Sequence, residues 1–340
     1  MSKKRGSFLQ RAFDMQNAET NFVKIIREVC REEDIELRSY SADWIFRLDK
    51  NGRHDVILGY QFGLNSASVN MLCQDKCAAS ELMTEFGIPN IEHVLFASPE
   101  NQKFMGFPGF WRDLLKMLDR YKTVVCKPNL GTGGENVIKC STDYELETAV
   151  HRIFLKSDYM AVSRYYEIEK EYRAVILDGE IRLVYRKRRP QIFGDGVHTV
   201  VGLMLRYKDR GNEEGTDREI HGYADLETDL SQKELSRVPA EGERVILNWR
   251  HNLGQGARAD LLENGPLKDQ ISEIVRRVYE EIGVRFASVD IVETEEGLKV
   301  LEINSGVMME NFAGQDAHSY ETAKAIYRDA IRKMMSEVRI

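Results

Sequence analysis

Two apolar runs near the C-terminal end constrain the fold of this chain most. Ser288 to Glu293 (SVDIVE) and Leu298 to Ile303 (LKVLEI) flank Thr294 to Gly297 (TEEG), a turn-forming composition. Short runs of this kind around a glycine-containing loop predict a β-hairpin. Val289, Ile291, Val300, Leu301 and Ile303 make it strongly apolar, so at least one face must be covered by other elements. Three oxygen-bearing side chains interrupt that pattern. Asp290 lies on the first strand, and Glu302 and Asn304 lie two apart on the second. Period-two alternation puts Glu302 and Asn304 on one face, and pairing through the short turn brings Asp290 beside them. Two carboxylates and an amide form an all-oxygen cluster suited to Mg2+, which is commonly shared with substrate phosphates. Acidic groups on a core-forming hairpin repel one another unless a cation offsets them. A solvated polar face accounts for the same pattern, and the hairpin alone leaves both readings open.

Upstream, the apolar stripe of Phe13, Phe22, Ile25, Ile26 and Val29 predicts a helix over residues 8–33. Strands at Trp44–Leu48 and Asp55–Tyr60 flank an Asn51-Gly52 turn. A helix over Asp75–Gly87 stops at Gly87, with Pro89 just beyond. Residues 123–139 read as strand, glycine turn and strand, and a helix follows over 143–155. Tyr172–Leu177 and Ile181–Tyr185 pair around Asp178-Gly179. Residues 206–236 are polar and read as a surface insertion. Leu267–Ile282 is the clearest amphipathic helix, and a last helix covers Ser319–Met335. Irregular alternation of helices and hairpins gives a mixed α/β chain of the α+β kind, with antiparallel sheets and no internal repeat.

Composition narrows the classes further. A chain of 340 residues can build two or three subdomains around one cleft. Its net charge of −7, from 48 basic and 55 acidic residues, argues against a general nucleic-acid binder. Five cysteines without a regular framework are expected to be free thiols in a reducing compartment. Cys73 and Cys77 share a helix face, yet no second pair or His completes a metal site, so buried thiols are the expectation. The beginning, MSKKRGSFLQRAF, has no apolar stretch of a secretory signal, and Lys3, Lys4 and Arg5 read as a solvated end. No apolar run approaches the ~18 residues of a membrane span, so a cytoplasmic protein with no membrane partner is expected.

Three further segments carry charge or backbone suited to anions. Lys127-Pro128-Asn129-Leu130-Gly131-Thr132-Gly133-Gly134 joins two strands, and its glycines can present backbone N–H groups while Lys127 and Lys139 add charge. It is neither a Walker A loop nor a GxGxxG fingerprint, and taken alone such a segment is an ordinary tight hairpin more often than a phosphate lid. In EIEKEYR, Glu171 can accept from a ribose and Arg173 can face the same cleft. The run Arg186 to Arg189 sends Arg186 and Arg188 one way, and Lys187 and Arg189 the other. It fits a solvated face or a triphosphate contact. Arg250, His251 and Asn252, before a glycine loop, offer donors for a carboxylate or phosphate, and His251 has no evident carboxylate partner as a base.

The order of these segments is more specific than any one of them. DKCAASELMTEFGIPN (75–90), VVCKPNLGTGGENV (124–137), EIEKEYRAVILDG (167–179), GDGVHTV (194–200), NWRHNLGQGARAD (248–260) and SVDIVETEEGLKVLEINSG (288–306) together resemble the ATP-grasp superfamily. The likeness is strongest to the ATP-grasp module of cyanophycin synthetases and bifunctional glutathione synthetases, over roughly residues 70–335. It implies two α+β subdomains gripping ATP between antiparallel sheets. The expected division is a small N-terminal α/β domain over 1–90, a lid subdomain over 91–165, and a C-terminal subdomain over 166–340 holding the metal site and the insertion.

The resemblance further implies that Lys76 and Lys127 contact phosphates beneath a lid of Gly131, Thr132, Gly133 and Gly134. Arg164, Tyr165, Tyr166 and Glu167 would run along adenine, with Glu171 on the ribose and Arg173 in the same cleft. Lys187, Arg250 and Asn252 would line the phosphate and acyl-phosphate region, and Asp290, Glu302 and Asn304 would hold two Mg2+ ions, with Mn2+ as a substitute. The implied activity is ATP-dependent ligation of a carboxylate to an amine through an acyl phosphate, on amino acids or a small peptide, in a homodimer. A ligase acting on a protein or ribosomal peptide, and an ATP-binding regulator without turnover, are the alternatives. The hinge SRYYEIEKEYR lacks the family's usual acidic residue and glycine, and SGVMMENFAG replaces a proline-containing turn. The sequence carries no second ligase domain, so polymer synthesis is not expected.

Overall fold

The computed structural model describes residues 19–105, 111–131, 134–210, 228, 230–249 and 258–336. The chain forms two compact units, one of Met1–Leu64 with Gly306–Ile340 and one of Asn65–Ser305.

In the first unit, the helix Asn21–Glu32 starts at Thr20, whose side chain accepts from the Val23 N–H. The helix expected over 8–33 is thus seen from its cap onward, and residues 8–18 lie outside the described residues. Strands β1 (Glu36–Tyr40), β2 (Ile45–Lys50) and β3 (Arg53–Leu58) form an antiparallel meander. Asn51 and Gly52, at φ 52° and 77°, supply the left-handed pair that a two-residue hairpin turn needs. The helix Ala317–Ser336 closes this unit, with Phe62 and Tyr327 stacked at 5.7 Å. Lys324 is buried between Glu28 and Glu32, at 2.7 and 2.6 Å.

The second unit contains two larger antiparallel sheets. Strands β4 (Val94–Ala97), β5 (Val124–Pro128), β6 (Ile138–Cys140) and β7 (Tyr159–Arg164) assemble in the order β4-β7-β5-β6. One face packs on the helices Trp111–Tyr121 and Asp143–Phe154, through Phe96, Leu118, Cys126, Leu146 and Val162. The helix Trp111–Tyr121 has no counterpart in the sequence reading, although Leu114 and Leu118 repeat at helical spacing.

Strands β8 (Lys170–Leu177), β9 (Glu180–Arg188), β10 (Gln191–Phe193), β11 (Arg244–Ile246), β12 (Arg258–Leu261), β13 (Phe286–Thr294) and β14 (Gly297–Asn304) complete the unit. The five-stranded sheet runs β12-β9-β8-β13-β14, and β10 pairs with β11. Asp178 and Gly179, at φ 51° and 79°, turn the β8–β9 hairpin as their sequence predicts. The amphipathic helix spans Pro266–Arg277, continues as a wider turn through Ile282, and ends at Gly283 with φ 76°. Its Ile271 and Val275 are fully buried under the sheet, each contributing roughly 1.5–3 kcal/mol. The polar insertion expected from 206 begins inside a helix, Val200–Arg210, that Val200 and Met204 anchor to Ile192 and Val245. Residues 211–227 and 229 lie outside the described residues.

All five cysteines are free and buried. Burial pushes the thiols of Cys30, Cys73 and Cys77 up to about 12, which leaves them unreactive at neutral pH.

Candidate active site

The five-stranded sheet has two chemically distinct faces, and strand alternation sets which residues reach each. Tyr172, Ala174, Val184, Val289, Ile291 and Ile303 point into the apolar core beneath the amphipathic helix. Their neighbours in sequence point the other way. Register then aligns Tyr185, Arg173, Asp290 and Glu302 in one row across β9, β8, β13 and β14. Lys187 pairs with Glu171 in the next row, and Ser288 with Asn304 on the opposite flank.

A local irregularity makes this possible. Asp290 pairs with Glu302 but Ile291 pairs with Val300, leaving Leu301 as an extra residue. Strict alternation would send Val300, Glu302 and Asn304 to one face. The bulge shifts the phase, so Val300 joins the core while Glu302 and Asn304 stay on the polar face.

Arg173, Lys187, Glu171 and Asp290 are paired on this face, whereas Glu302 is half-buried and has no ion pair among the described residues. The Arg173 guanidinium donates to Asp290 from Nε and Nη2, both at 2.7 Å. Lys187 Nζ lies 2.8 Å from Asp290 Oδ2 and donates to Glu171 Oε1 at 2.5 Å. Asp290 is 1% exposed and Lys187 4%. Burial alone would raise the Asp290 carboxyl, but Arg173 and Lys187 outweigh it and hold it well below the usual range. Burial dominates at Glu171 and raises it to about 7, partly offset by Lys187. On β14, Asn304 Nδ2 donates to Glu302 Oε1 at 3.2 Å.

The four-stranded sheet contributes a different kind of group. Lys127 lies on β5 beside Cys126, which points into the helix-covered core, so Lys127 projects from the opposite face. It is 7% exposed, and its ammonium has no ion pair or hydrogen bond among the described residues. Burial pulls its pKa down to about 8, with Glu302 pulling the other way and Lys76 adding to the depression. Lys76 opens the helix Lys76–Glu85, and its Nζ donates to the carbonyls of Gly131 at 2.7 Å and Asn129 at 3.3 Å. Buried Asn129 accepts from the Cys77 N–H at 3.1 Å, tying the glycine turn to this helix start. Within the turn, Gly131 and Gly134 have φ 140° and 74°, conformations that favour glycine.

The hinge residues follow β7. Arg164 reaches Glu296 at 2.7 Å and Glu295 at 2.6 Å, and lies 4.6 Å from the Tyr166 ring. The Lys139 ammonium lies 3.7 Å from the Tyr165 ring, which meets Trp249 edge-on at 6.2 Å. Tyr165 also donates to Glu167 at 3.2 Å. Of the other candidates, Thr132, Gly133, Arg250, His251 and Asn252 lie outside the described residues.

Several residues of this site are not among those expected from the sequence. Tyr185 and Ser288 share the polar face and could have been found by extending the alternation from Lys187 and Asp290. Asn129 sits inside the glycine turn but needs the fold to reveal its partner. His93 is buried with no hydrogen bond to either ring nitrogen among the described residues, and burial, reinforced by Lys127 and Lys76, keeps it neutral.

The donor set fits a hard cation by type: Glu302, Asn304 and Asp290 supply only oxygen, as Mg2+ requires. Among the described residues no three His, Cys, Asp or Glu side chains form a metal-holding group. Any cation here would therefore depend on the amide, on waters and on ligand oxygens as well.

No protein-family model matches the chain. It is 38% identical over 191 residues to the tetrahydromethanopterin:alpha-L-glutamate ligase of Methanocaldococcus jannaschii, covering 55% of this chain and 47% of that protein. It is 25% identical over 197 residues to the cyanophycin synthetase of Nostoc sp., covering 55% of this chain and 21% of the relative. The chain thus spans less than half the length of either. A bifunctional glutathione synthetase from Pasteurella multocida superposes with a TM-score of 0.54 at 16% identity, covering 92% of this chain and 44% of that one. Among the described residues, no helix is long and apolar enough to cross a membrane. The chain has the ATP-grasp fold, and by sequence it is related to the ATP-grasp ligases.

Proposed function

We propose that this protein is an ATP-dependent carboxylate–amine ligase that forms an amide through an acyl phosphate and releases ADP and phosphate. The observation that carries this reading is a polar row in which Arg173 is paired with Asp290 and Glu302 lies beside them, together with Lys127, which is buried and has no ion pair or hydrogen bond among the described residues. A buried ammonium without a partner is costly unless an anion arrives, and a nucleotide phosphate supplies one. Lys76 and Lys127 bind the phosphates, the glycine turn after β5 covers them, and Tyr165 to Glu167 flank the base. Glu171 serves the ribose and Lys187 the transferring phosphoryl group, with Arg250 and Asn252 on the acyl phosphate.

Asp290, Glu302 and Asn304 hold Mg2+, for which Mn2+ can substitute. When bound, such an ion neutralises charge on the transferring phosphoryl group and orients it. The chain's own residues position the reactants and exclude water, which accounts for a site of lysines, arginines and amides rather than a nucleophile with a base. L-Glutamate is the amine we favour for a first trial, because the most similar relative described above is named for it. The buried thiols support a reducing, cytoplasmic setting. A homodimer is our working assembly.

The test is ATP-dependent phosphate release across a panel of amino acids and small carboxylates, with the amide product identified by mass. Release that depends on both a carboxylate and an amine supports the reading. Nucleotide binding without turnover on any pair would favour the regulator instead.

A further inference from the structure

We propose that Lys187 guards the oxygen site at Asp290, so that a divalent cation is admitted there only together with a phosphate-bearing ligand. The proposal rests on the ligase reading for the identity of that ligand, and on four side chains for its physics. An ionised carboxylate has about four lone-pair sites. At Asp290, Arg173 takes two and Lys187 a third.

With Glu171 ionised, the set Arg173, Lys187, Glu171 and Asp290 is neutral, two cations against two anions. All four side chains are at most 15% exposed. A dication delivered alone would face the Lys187 ammonium on the same oxygen, in a buried setting where solvent screens little. Glu302, beside Asp290 in the register, offsets only part of that charge.

Phosphate oxygens change the balance in two ways. They bring negative charge toward Lys76 and Lys127, and they give Lys187 a new acceptor while Glu171 still holds it. Lys187 can then give up its place on Asp290 Oδ2 to the incoming cation, while Arg173 Nη2 keeps its own hydrogen bond to that oxygen. Arg173 remains as a positioning residue, because its planar fork matches the carboxylate and fixes its orientation.

The full chain is titrated with Mn2+ in the absence of nucleotide, and the paramagnetic resonance signal of the free ion is followed. The wild type is expected to show no saturable binding below the millimolar range. Lys187→Met should bind at least about tenfold more tightly, and Lys187→Arg should behave as the wild type. Circular dichroism checks that each variant is folded. Micromolar saturable binding by the wild type alone overturns the proposal, as does a folded Lys187→Met that gains nothing. If Lys187→Met does not fold, the wild type decides through water-proton relaxation, which separates protein-held Mn2+ from Mn2+ on free nucleotide. Enhancement that appears only with a non-hydrolysable ATP analogue supports the guard, and enhancement that is equal without it, or absent in both conditions, overturns it. Failure of the ligase reading shows separately, as no analogue binding in metal-free calorimetry while the Lys187→Met arm still reports on the guard.

Discussion

On the five-stranded sheet, the buried charges of the polar face are matched: Arg173 and Lys187 are tied to Asp290, and Lys187 also to Glu171. On the four-stranded sheet, Lys127 is as deeply buried yet has no ion pair among the described residues. The first arrangement is fixed by complementary side chains and can hold its geometry through a reaction. The second is strained electrostatically and gains most from an incoming anion. One half of the site is therefore organised in advance, and the other is poised for ligand.

Breaking the matched half should produce the largest effect. Asp290→Ala leaves Arg173 and Lys187 buried without their shared carboxylate and should cost about 3–5 kcal/mol of stability, seen as a lower denaturant midpoint. Breaking the unmatched half should act in the opposite direction on stability. Lys127→Met removes a buried charge and should raise stability by about 1–3 kcal/mol, while weakening ATP-analogue binding roughly 100-fold or more. Thermal unfolding and calorimetry on the same sample would check both halves of that expectation.

The pH dependence sharpens the comparison. Lys127 has a pKa of about 8, depressed below the 10.5 of a free lysine. Its ammonium is present below 8, so analogue affinity should fall as pH rises through 8, by up to about tenfold per unit where this charge dominates. For stability the sign is reversed. Between 8 and 10.5 the unfolded chain binds more protons than the folded one, so this lysine's burial penalty is relieved as pH rises across that window. Binding isotherms at several pH values, with Lys127→Met as the flat control, would test it. The smallest effect is expected outside both halves: Arg164→Ala removes exposed pairs with Glu295 and Glu296 and should cost less than about 1 kcal/mol in unfolding experiments.

The contrast also explains what could be read from sequence. The β13–β14 hairpin and the shared face of Glu302 and Asn304 follow from alternation and turn chemistry, both local. The β8–β9 hairpin was legible at Asp178-Gly179 for the same reason. The bulge at Leu301 was not, because it reconciles Val300 and Ile303 with a core formed largely by other strands. The grip of Arg173 and Lys187 on Asp290 depends on β8 lying between β9 and β13, an order no spacing reports. Asn129 escaped notice for a related reason: its partner, the Cys77 N–H, is 52 residues away. The roles proposed for Lys76 and Lys187 come from resemblance; the structure adds only their contacts, with the carbonyls of Gly131 and Asn129 and with Glu171 and Asp290.

The central claim, that this site forms an acyl phosphate, is tested most directly by following oxygen from the carboxylate substrate. With a pair of substrates found by phosphate release, the carboxylate is labelled with heavy oxygen and the released phosphate is weighed by mass spectrometry. The account predicts that one labelled oxygen moves into phosphate for each amide formed. Phosphate that carries no label while amide accumulates would contradict it.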